Sequence, residues 1–126
     1  MMKALVIDDS RAVRLVLGKI LKGLGFEVTE AAHGKEGLLR LKELEGRVLV
    51  MVDWNMPEMN GCEFVKAVRA DRTFDEARLV MVTSESDTQH LSAALEAGAN
   101  EYVMKPFTRE SIVDKVNLLG WMPPPP

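Results

Sequence analysis

The sequence predicts an α/β fold: a single doubly wound sheet of five parallel strands in the order 2-1-3-4-5. Short apolar runs alternate five times with stretches of helical spacing, the connections are short, and some strands are apolar throughout. Strands of that last kind lie in the middle of a sheet, where both faces are buried. The first, third and fourth are such strands, so the second and fifth are assigned to the edges. Right-handed crossovers then place the first and last helices on one face and the middle three on the other.

The first half of the chain supplies three strands and two helices. The strands are predicted at residues 5–7, 26–31 and 48–52. The first helix is indicated by apolar residues at three- and four-residue spacing, Val13, Leu17, Ile20 and Leu24. Gly25 ends that helix. The second helix is predicted over residues 34–44, ending before Gly46.

The second half supplies two strands and three helices. The strands are predicted at residues 79–82 and 102–104, and Phe64, Val65 and Val68 mark the third helix. Ser86 with Gln89 fits a capping box that opens the fourth helix, which Gly98 ends. Ile112, Val116 and Leu119 mark the last helix. We assign residues 1–120 to one domain and residues 121–126 to a short Pro-rich C-terminal tail without a function.

Composition excludes several classes of protein. The 126 residues carry 16 Lys+Arg and 19 Asp+Glu, a net charge of −3, which argues against a nucleic-acid groove. No segment approaches the ~20 apolar residues of a membrane span, and the N-terminus lacks a signal-peptide core. The single Cys62 cannot form an internal disulfide, and we expect it to be buried near the start of the third helix. We expect a cytoplasmic monomer with no nucleic-acid or membrane partner.

Polar side chains follow the apolar run in four of the five strands. The first strand is followed by Asp8 and Asp9, the third by Asp53, the fourth by Thr83 and the fifth by Lys105. These strand ends share one edge of a parallel sheet, and ligands bind there, where the winding reverses. Each residue alone is commonly a turn former or a helix cap, so their coincidence carries the inference.

The three carboxylates, which we call the acidic cluster (Asp8, Asp9 and Asp53), predict a cation. Meeting at one point, they would repel one another and raise at least one pKa unless a cation lay among them. Oxygen ligands without His or Cys suit a hard ion, above all Mg²⁺. Together with the Thr83 hydroxyl and the Lys105 ammonium, such a site suits phosphoryl transfer, which depends on positioning and charge neutralisation.

The same segments resemble the receiver domain of two-component response regulators across essentially the whole chain. The matching residues are 6–10, 52–57, 60–61, 82–83 and 102–108. Within that family, Asp53 to Pro57, Glu85 and Tyr102 agree with the stand-alone chemotaxis regulators. The resemblance implies a flavodoxin-like (βα)5 fold and a Lys105–Pro106 peptide bond in the cis form.

The resemblance also implies a role for each residue of the site. Asp53 would accept a phosphoryl group from the phosphohistidine of a sensor histidine kinase or a phosphotransfer domain. Asp9 would bind Mg²⁺ (or Mn²⁺) directly and Asp8 largely through water, with Asp53 and the backbone carbonyl of Asn55 as further ligands. Thr83 and Lys105 would contact the phosphoryl oxygens. Asn55 and Glu85 would tune the hydrolysis of the acyl phosphate.

A conformational switch follows from the same resemblance. Thr83 would shift inward and the ring of Tyr102 would fill the space, changing the face formed by the fourth helix, fifth strand and fifth helix. The candidate partner face there consists of Leu91, Leu95, Tyr102, Met104 and Lys115, although Leu91 and Leu95 fit the core equally well. It would bind a downstream protein target, and a phosphatase is a further candidate partner.

Five other residues near these segments carry expectations. Arg11 and Arg14 either help to dock the phosphohistidine domain or are solvated charges on an exposed face. Trp54, directly after Asp53, is expected to overhang the site and to report metal binding by fluorescence. His33 and His90 are placed away from the acidic cluster and are given no role.

Several alternatives stay open or are disfavoured. A stand-alone receiver is either a diffusible effector or an intermediate phosphotransfer relay, and Asn55 and Glu85 favour the effector. An aspartyl-phosphate phosphohydrolase would need a second Asp where Asn55 stands. A flavodoxin-like electron carrier would need a phosphate-binding loop after the first strand, where residues 8–11 would repel a phosphate. The chain is therefore predicted to catalyse only its own phosphorylation and dephosphorylation.

Overall fold

A computed structural model describes residues 2–124, apart from the side chains of Glu85 and Thr88. In this part of the chain, five parallel strands form one sheet in the order β2-β1-β3-β4-β5, as predicted. The strands are Lys3–Ile7 (β1), Glu27–Ala31 (β2), Val48–Asp53 (β3), Arg78–Ser84 (β4) and Glu101–Lys105 (β5). The helices are Arg11–Gly23 (α1), Gly34–Leu44 (α2), Gly61–Ala70 (α3), Leu91–Ala97 (α4) and Arg109–Leu119 (α5). None of these helices has the length and apolarity needed to cross a membrane.

Each face of the sheet buries its own apolar cluster, because successive strand residues point to opposite faces. One cluster joins Ile7 and Val52 to Phe64 of α3 and includes residues from α2 and α4. The other joins Val6 and Met51 to residues of α1 and α5. The predicted distribution of helices over the two faces is therefore confirmed. Cys62 is buried at the start of α3, also as expected.

The start of α4 differs from the sequence prediction. Residues Glu85–His90 form a 3₁₀ helix, and α4 begins only at Leu91, after an N-cap residue, His90, whose side chain makes no capping bond. The Ser86 hydroxyl lies 2.9 Å from the hydroxyl of Ser84, which also donates to Asp87 at 2.8 Å. The predicted capping box at Ser86 and Gln89 is wrong, because 3₁₀ winding continues through these residues and the Ser86 hydroxyl is used within the turn.

The first residue of the predicted tail is packed against the domain. Trp121 is 5% exposed and belongs to the cluster beneath α1 and α5. The guanidinium groups of Arg47 and Arg78, at the starts of β3 and β4, lie 4.5 Å and 5.3 Å from the centre of its ring. These contacts lie at the end of the sheet opposite to the acidic cluster. The division of the chain at residue 120 stays a prediction, and Pro125 and Pro126 lie outside the described residues.

Candidate functional site

Three carboxylates meet at the carboxyl ends of β1 and β3. Asp8 and Asp9 follow β1, and Asp53 is the last residue of β3. One oxygen from each side chain lies within 4.8 Å of the other two. Asp8 and Asp53 are buried, at 1% and 5% exposure, whereas Asp9 is exposed. The acidic cluster inferred from separate strand ends is therefore one site, with two desolvated carboxylates and one facing solvent.

Lys105 joins this cluster from the edge strand β5. Its ammonium lies 3.2 Å from Oδ1 of Asp53 and 3.3 Å from Oδ2 of Asp8. The register explains this reach: Asp53 pairs with Val82, and Val82 pairs with Val103. Since Lys105 lies two residues beyond Val103, it points to the same side of the sheet as Asp53. The Lys105–Pro106 peptide bond is cis, as the resemblance implied.

The electrostatics of the cluster leave it short of positive charge. Burial, and next the charge of Asp8, raise the pKa of Asp53 from 3.8 to about 6, although Lys105 and the backbone N–H of Asn55 oppose the rise. Burial acts to lower the pKa of Lys105, but the attraction of Asp53 and Asp8 outweighs it and raises that pKa above its ordinary value. One ammonium therefore does not fully compensate the two buried carboxylates.

Asp8 is held by a hydrogen bond at each of its polar atoms. Its Oδ1 accepts from the N–H of Ser10 at 2.8 Å, and its Oδ2 accepts from Lys105. Its backbone N–H donates to the carbonyl of Ala31 at 3.1 Å, and its own carbonyl accepts from Arg14 at 2.7 Å. These bonds fix the loop between β1 and α1, so the neighbouring Asp9 also starts from a fixed backbone.

Arg14 is bonded within this loop. Its guanidinium holds the carbonyl of Asp8, and its Nε lies 3.1 Å from Oε1 of Glu30 on β2. The Arg14 side chain is only 16% exposed, so it is not a solvated charge on an exposed face, and its docking of a donor domain stays a prediction. Arg11, by contrast, is exposed. No local sequence pattern indicates this contact, because Glu30 lies 16 residues away on another strand.

Thr83 and Tyr102 lie on the opposite side of the sheet from Asp53. Thr83 is 3% exposed and pairs with Met104, while Tyr102 pairs with Met81, two residues before Thr83. Paired residues of parallel strands share a face, so these two side chains are diagonal neighbours. Tyr102 packs partly on the cluster beneath α2, α3 and α4. The two residues assigned to a switch are thus adjacent on one surface.

The candidate partner face contains residues in different environments. Tyr102, Met104 and Lys115 line a cleft of about 270 Å³ between β5 and α5. The Lys115 ammonium lies 4.3 Å from the centre of the Tyr102 ring and 3.0 Å from Glu101. On α4, Leu95 is 40% exposed, whereas Leu91 packs partly on the core. The inward alternative therefore applies to Leu91 and the outward one to Leu95.

The loop after Asp53 packs tightly against the sheet. A Cβ added to Gly61 would lie 2.9 Å from the carbonyl oxygen of Asp53, so only glycine lets α3 begin so close to β3. Asn60 and Glu63 form a capping box that fixes this start. The exposed Asn55 contributes its backbone N–H to Asp53. The prediction for Glu85 concerns a side chain outside the described residues.

The two histidines have different surroundings. Nδ1 of His33 accepts from the N–H of Glu36 at 3.2 Å and caps α2. The ring of His90 stacks on Trp54, the residue after Asp53, with centroids 4.6 Å apart and planes at 11°. The expectation that His90 lies away from the site is therefore wrong, because the 3₁₀ helix before α4 brings it against the loop that follows Asp53.

Comparisons with known proteins identify relatives of the chain over most of its length. A family model described as the response regulator receiver domain matches residues 4–117. The chain is 42% identical over 119 residues to the chemotaxis protein CheY1 of Helicobacter pylori (strain J99), covering 94% of the chain and 96% of the relative. It is 42% identical over 121 residues to a chemotaxis protein CheY homolog of Campylobacter jejuni, covering 94% and 93%. Among solved structures, the chemotaxis protein CheY4 of Vibrio cholerae has a TM-score of 0.84 at 33% identity, covering 94% and 98%.

Proposed function

We propose that this chain, which belongs to the response regulator receiver family, is a stand-alone receiver that accepts a phosphoryl group from a phosphohistidine onto Asp53. The observation that carries the proposal is the meeting of three carboxylates with Lys105 at the carboxyl edge of the sheet. The donor is a sensor histidine kinase or a phosphotransfer domain, and the reaction takes place in the cytoplasm.

The residues of the acidic cluster fit Mg²⁺. Carboxylate and carbonyl oxygens are the ligands that this ion prefers, and it keeps several waters. The exposed Asp9 is free to bind it directly, whereas both carboxylate oxygens of Asp8 already accept bonds from Ser10 and Lys105, which suits binding through water. Asp53 and the backbone carbonyl of Asn55 complete the ligand set. Mg²⁺, or Mn²⁺ in its place, would supply charge neutralisation for the carboxylates and the incoming phosphoryl oxygens.

Asp53 serves as the nucleophile. A pKa of about 6 leaves it mainly ionised at neutral pH. One of its oxygens attacks the phosphorus of the phosphohistidine, an O–P bond forms, and the N–P bond breaks, with its electron pair returning to the imidazole of the donor. Lys105, within 3.2 Å of Asp53, is placed to pair with an oxygen of the transferred group. Thr83 contributes its hydroxyl to a second oxygen.

The added charge drives the switch. A phosphoryl group brings almost two negative charges into a site that already lacks positive charge. Thr83 and Lys105 are drawn towards it, and the neighbouring ring of Tyr102 carries the change to Met104 and Lys115. The phosphorylated form then favours a conformation that is already populated to a small extent without it. A downstream protein target binds that conformation.

The relatives favour an effector role in chemotaxis. The two curated relatives are named for chemotaxis and match almost end to end, and Asn55 and Glu85 favour the same role. An intermediate phosphotransfer relay is the alternative. A phosphatase that acts on the acyl phosphate is a further candidate partner. A phosphohydrolase acting on free esters is disfavoured, because Asn55 occupies the position where such enzymes carry a second Asp.

The test is covalent labelling with a small donor. The protein is incubated with acetyl phosphate, with Mg²⁺ or with EDTA, and its intact mass is measured. We expect a gain of one phosphoryl group that requires Mg²⁺ and is lost in Asp53→Asn, with Asp114→Asn on exposed surface as the matched control. Labelling of Asp53→Asn, or no labelling of the wild type, would refute the assignment. Transfer from the phosphorylated protein to a second histidine domain would favour the relay.

A further inference from the structure

We propose that His90 is a positioning residue, which holds the indole of Trp54, the residue next to the phosphoacceptor in the chain, and thereby prolongs the lifetime of the phosphoryl group on Asp53. The inference rests on the proposed function and adds to it a residue that the reaction itself does not touch. Its basis is the stack of the two rings, with centroids 4.6 Å apart and planes at 11°.

The backbone of Trp54 is fixed on both sides of its side chain. Its N–H donates to the carbonyl of Val82 on β4 at 3.0 Å, and its carbonyl accepts from the N–H of Gly61 at 2.9 Å. The indole itself is only partly buried against the apolar cluster beneath α2, α3 and α4. Its orientation therefore depends on the rings and side chains that contact it, and His90 covers one of its faces.

The His90 ring is available for this contact because it does not cap α4. His90 is the residue immediately before α4, and its side chain makes no bond to the first turn of that helix. Its Nε2 lies 3.3 Å from Nε2 of Gln89, so a ring edge, rather than a ring face, carries the polar contact. The stack on the Trp54 ring is then the main contact that the His90 side chain makes towards the site.

The position of His90 in the chain links it to the switch. The 3₁₀ helix Glu85–His90 follows β4 directly, and Thr83 lies near the end of β4. A movement of Thr83 is therefore transmitted to His90 through one short helix, and from His90 to Trp54 by contact. Because such coupling is reciprocal, a protein bound at α4 would change the environment of Asp53 by the same route.

Loss of the His90 ring would free the indole to change rotamer. Since Trp54 is bonded to the acceptor residue, a mobile indole lets water approach the acyl phosphate more often. Hydrolysis by water breaks the bond between the phosphorus and the Asp53 oxygen, and it restores the carboxylate and free phosphate. We expect the loss of a stacked pair to accelerate this step about three- to tenfold.

The experiment compares four proteins after labelling with acetyl phosphate and rapid removal of the donor. His90→Ala removes the ring, His90→Phe keeps a ring, and Ser92→Ala changes an exposed residue of α4 as a control. Intact mass at fixed Mg²⁺ gives the rate of phosphoryl loss. We expect faster loss only in His90→Ala, and wild-type rates in His90→Phe and Ser92→Ala. If His90→Ala does not fold, His90→Asn serves as the ring-less variant.

A spectroscopic readout separates positioning from a general loss of stability. The indole N–H resonance of Trp54, assigned with Trp54→Phe, should shift in unphosphorylated His90→Ala, while that of the distant Trp121 should not. An unchanged or slower rate in His90→Ala, or equal acceleration in His90→Phe, would overturn the inference. Failure of the wild type to accept any phosphoryl group would instead refute the proposed function, and it would leave the resonance to report on the stack.

Discussion

Replacement of Asp53, the proposed phosphoacceptor, should make the metal-free protein more stable. Asp53→Asn removes a buried charge and keeps the size of the side chain. In the folded protein, burial and the charge of Asp8 raise the pKa of Asp53 from 3.8 to about 6. At ~1.4 kcal/mol for each pKa unit, the ionised group costs the fold about 3 kcal/mol at pH 7 and above. We expect Asp53→Asn to recover most of this free energy of unfolding.

The sign of the effect with pH follows from the direction of the pKa change. A carboxyl group whose pKa is higher in the folded state stabilises the fold when it is protonated. The wild type therefore gains stability relative to Asp53→Asn as the pH falls from 7 through 6 towards 4. The advantage of the variant should be largest at pH 7 to 8 and should shrink over that window.

Urea denaturation in EDTA at pH 5, 6, 7 and 8 measures this difference. Asp114→Asn, which removes an exposed carboxylate, is the matched control and should show a small change at each pH. Added Mg²⁺ should stabilise the wild type more than Asp53→Asn and narrow the gap, because only the wild type keeps all three carboxylates. A variant that is no more stable than the wild type at pH 7, or an advantage that does not depend on pH, would refute the charge argument.

Three further substitutions test other parts of the site. Lys105→Ala leaves Asp8 and Asp53 without their cation, so urea denaturation at pH 7 should show a loss of stability. The loss should be smaller than the roughly 3–5 kcal/mol found for fully buried pairs, because the Lys105 side chain is 29% exposed. An NMR titration should place the pKa of Asp53 higher than in the wild type. Asp9→Ala should weaken Mg²⁺ binding by at least about tenfold in calorimetry. The metal-free melting temperature should change little, because Asp9 is exposed. A variant that binds Mg²⁺ with wild-type affinity would remove Asp9 from the ligand set. Arg14→Ala removes the donor to the Asp8 carbonyl and leaves Glu30 unpaired. The free energy of unfolding should therefore fall by about 1–3 kcal/mol, and Mg²⁺ should bind more weakly. Arg11→Ala, on exposed surface, is the control and should change neither the stability nor the Mg²⁺ affinity.

The strand order was predictable because the apolar content of each strand indicates how deeply the strand is buried. β3 is buried from Val48 to Asp53, and its sequence is apolar up to the final carboxylate. β2 lies at an edge with Glu27 exposed, and its sequence mixes apolar and polar residues. The gathering of the acidic cluster followed from the order of the strands, since parallel strands bring their carboxyl ends to one edge.

Contacts between side chains distant in the chain were not predictable in the same way. Glu30 meets Arg14, and His90 meets Trp54, through rotamers and loop geometry that no local pattern encodes. The start of α4 was missed for a related reason. Ser86 and Gln89 have the composition of a capping box, but the turn that leaves β4 winds as a 3₁₀ helix before α4 can form. Local propensity there gave way to the path that the chain takes out of the sheet.

Trp121 has a practical consequence for anyone who shortens or extends this polypeptide. Its indole lies under the guanidinium groups of Arg47 and Arg78. The two positive charges therefore contact an aromatic ring instead of facing each other. Truncation after Gly120 would expose apolar side chains at the amino ends of β3 and β4. It would also leave the guanidinium groups of Arg47 and Arg78 to repel each other. A fusion tag is better attached after the C-terminal prolines, because Trp121 then keeps its packing.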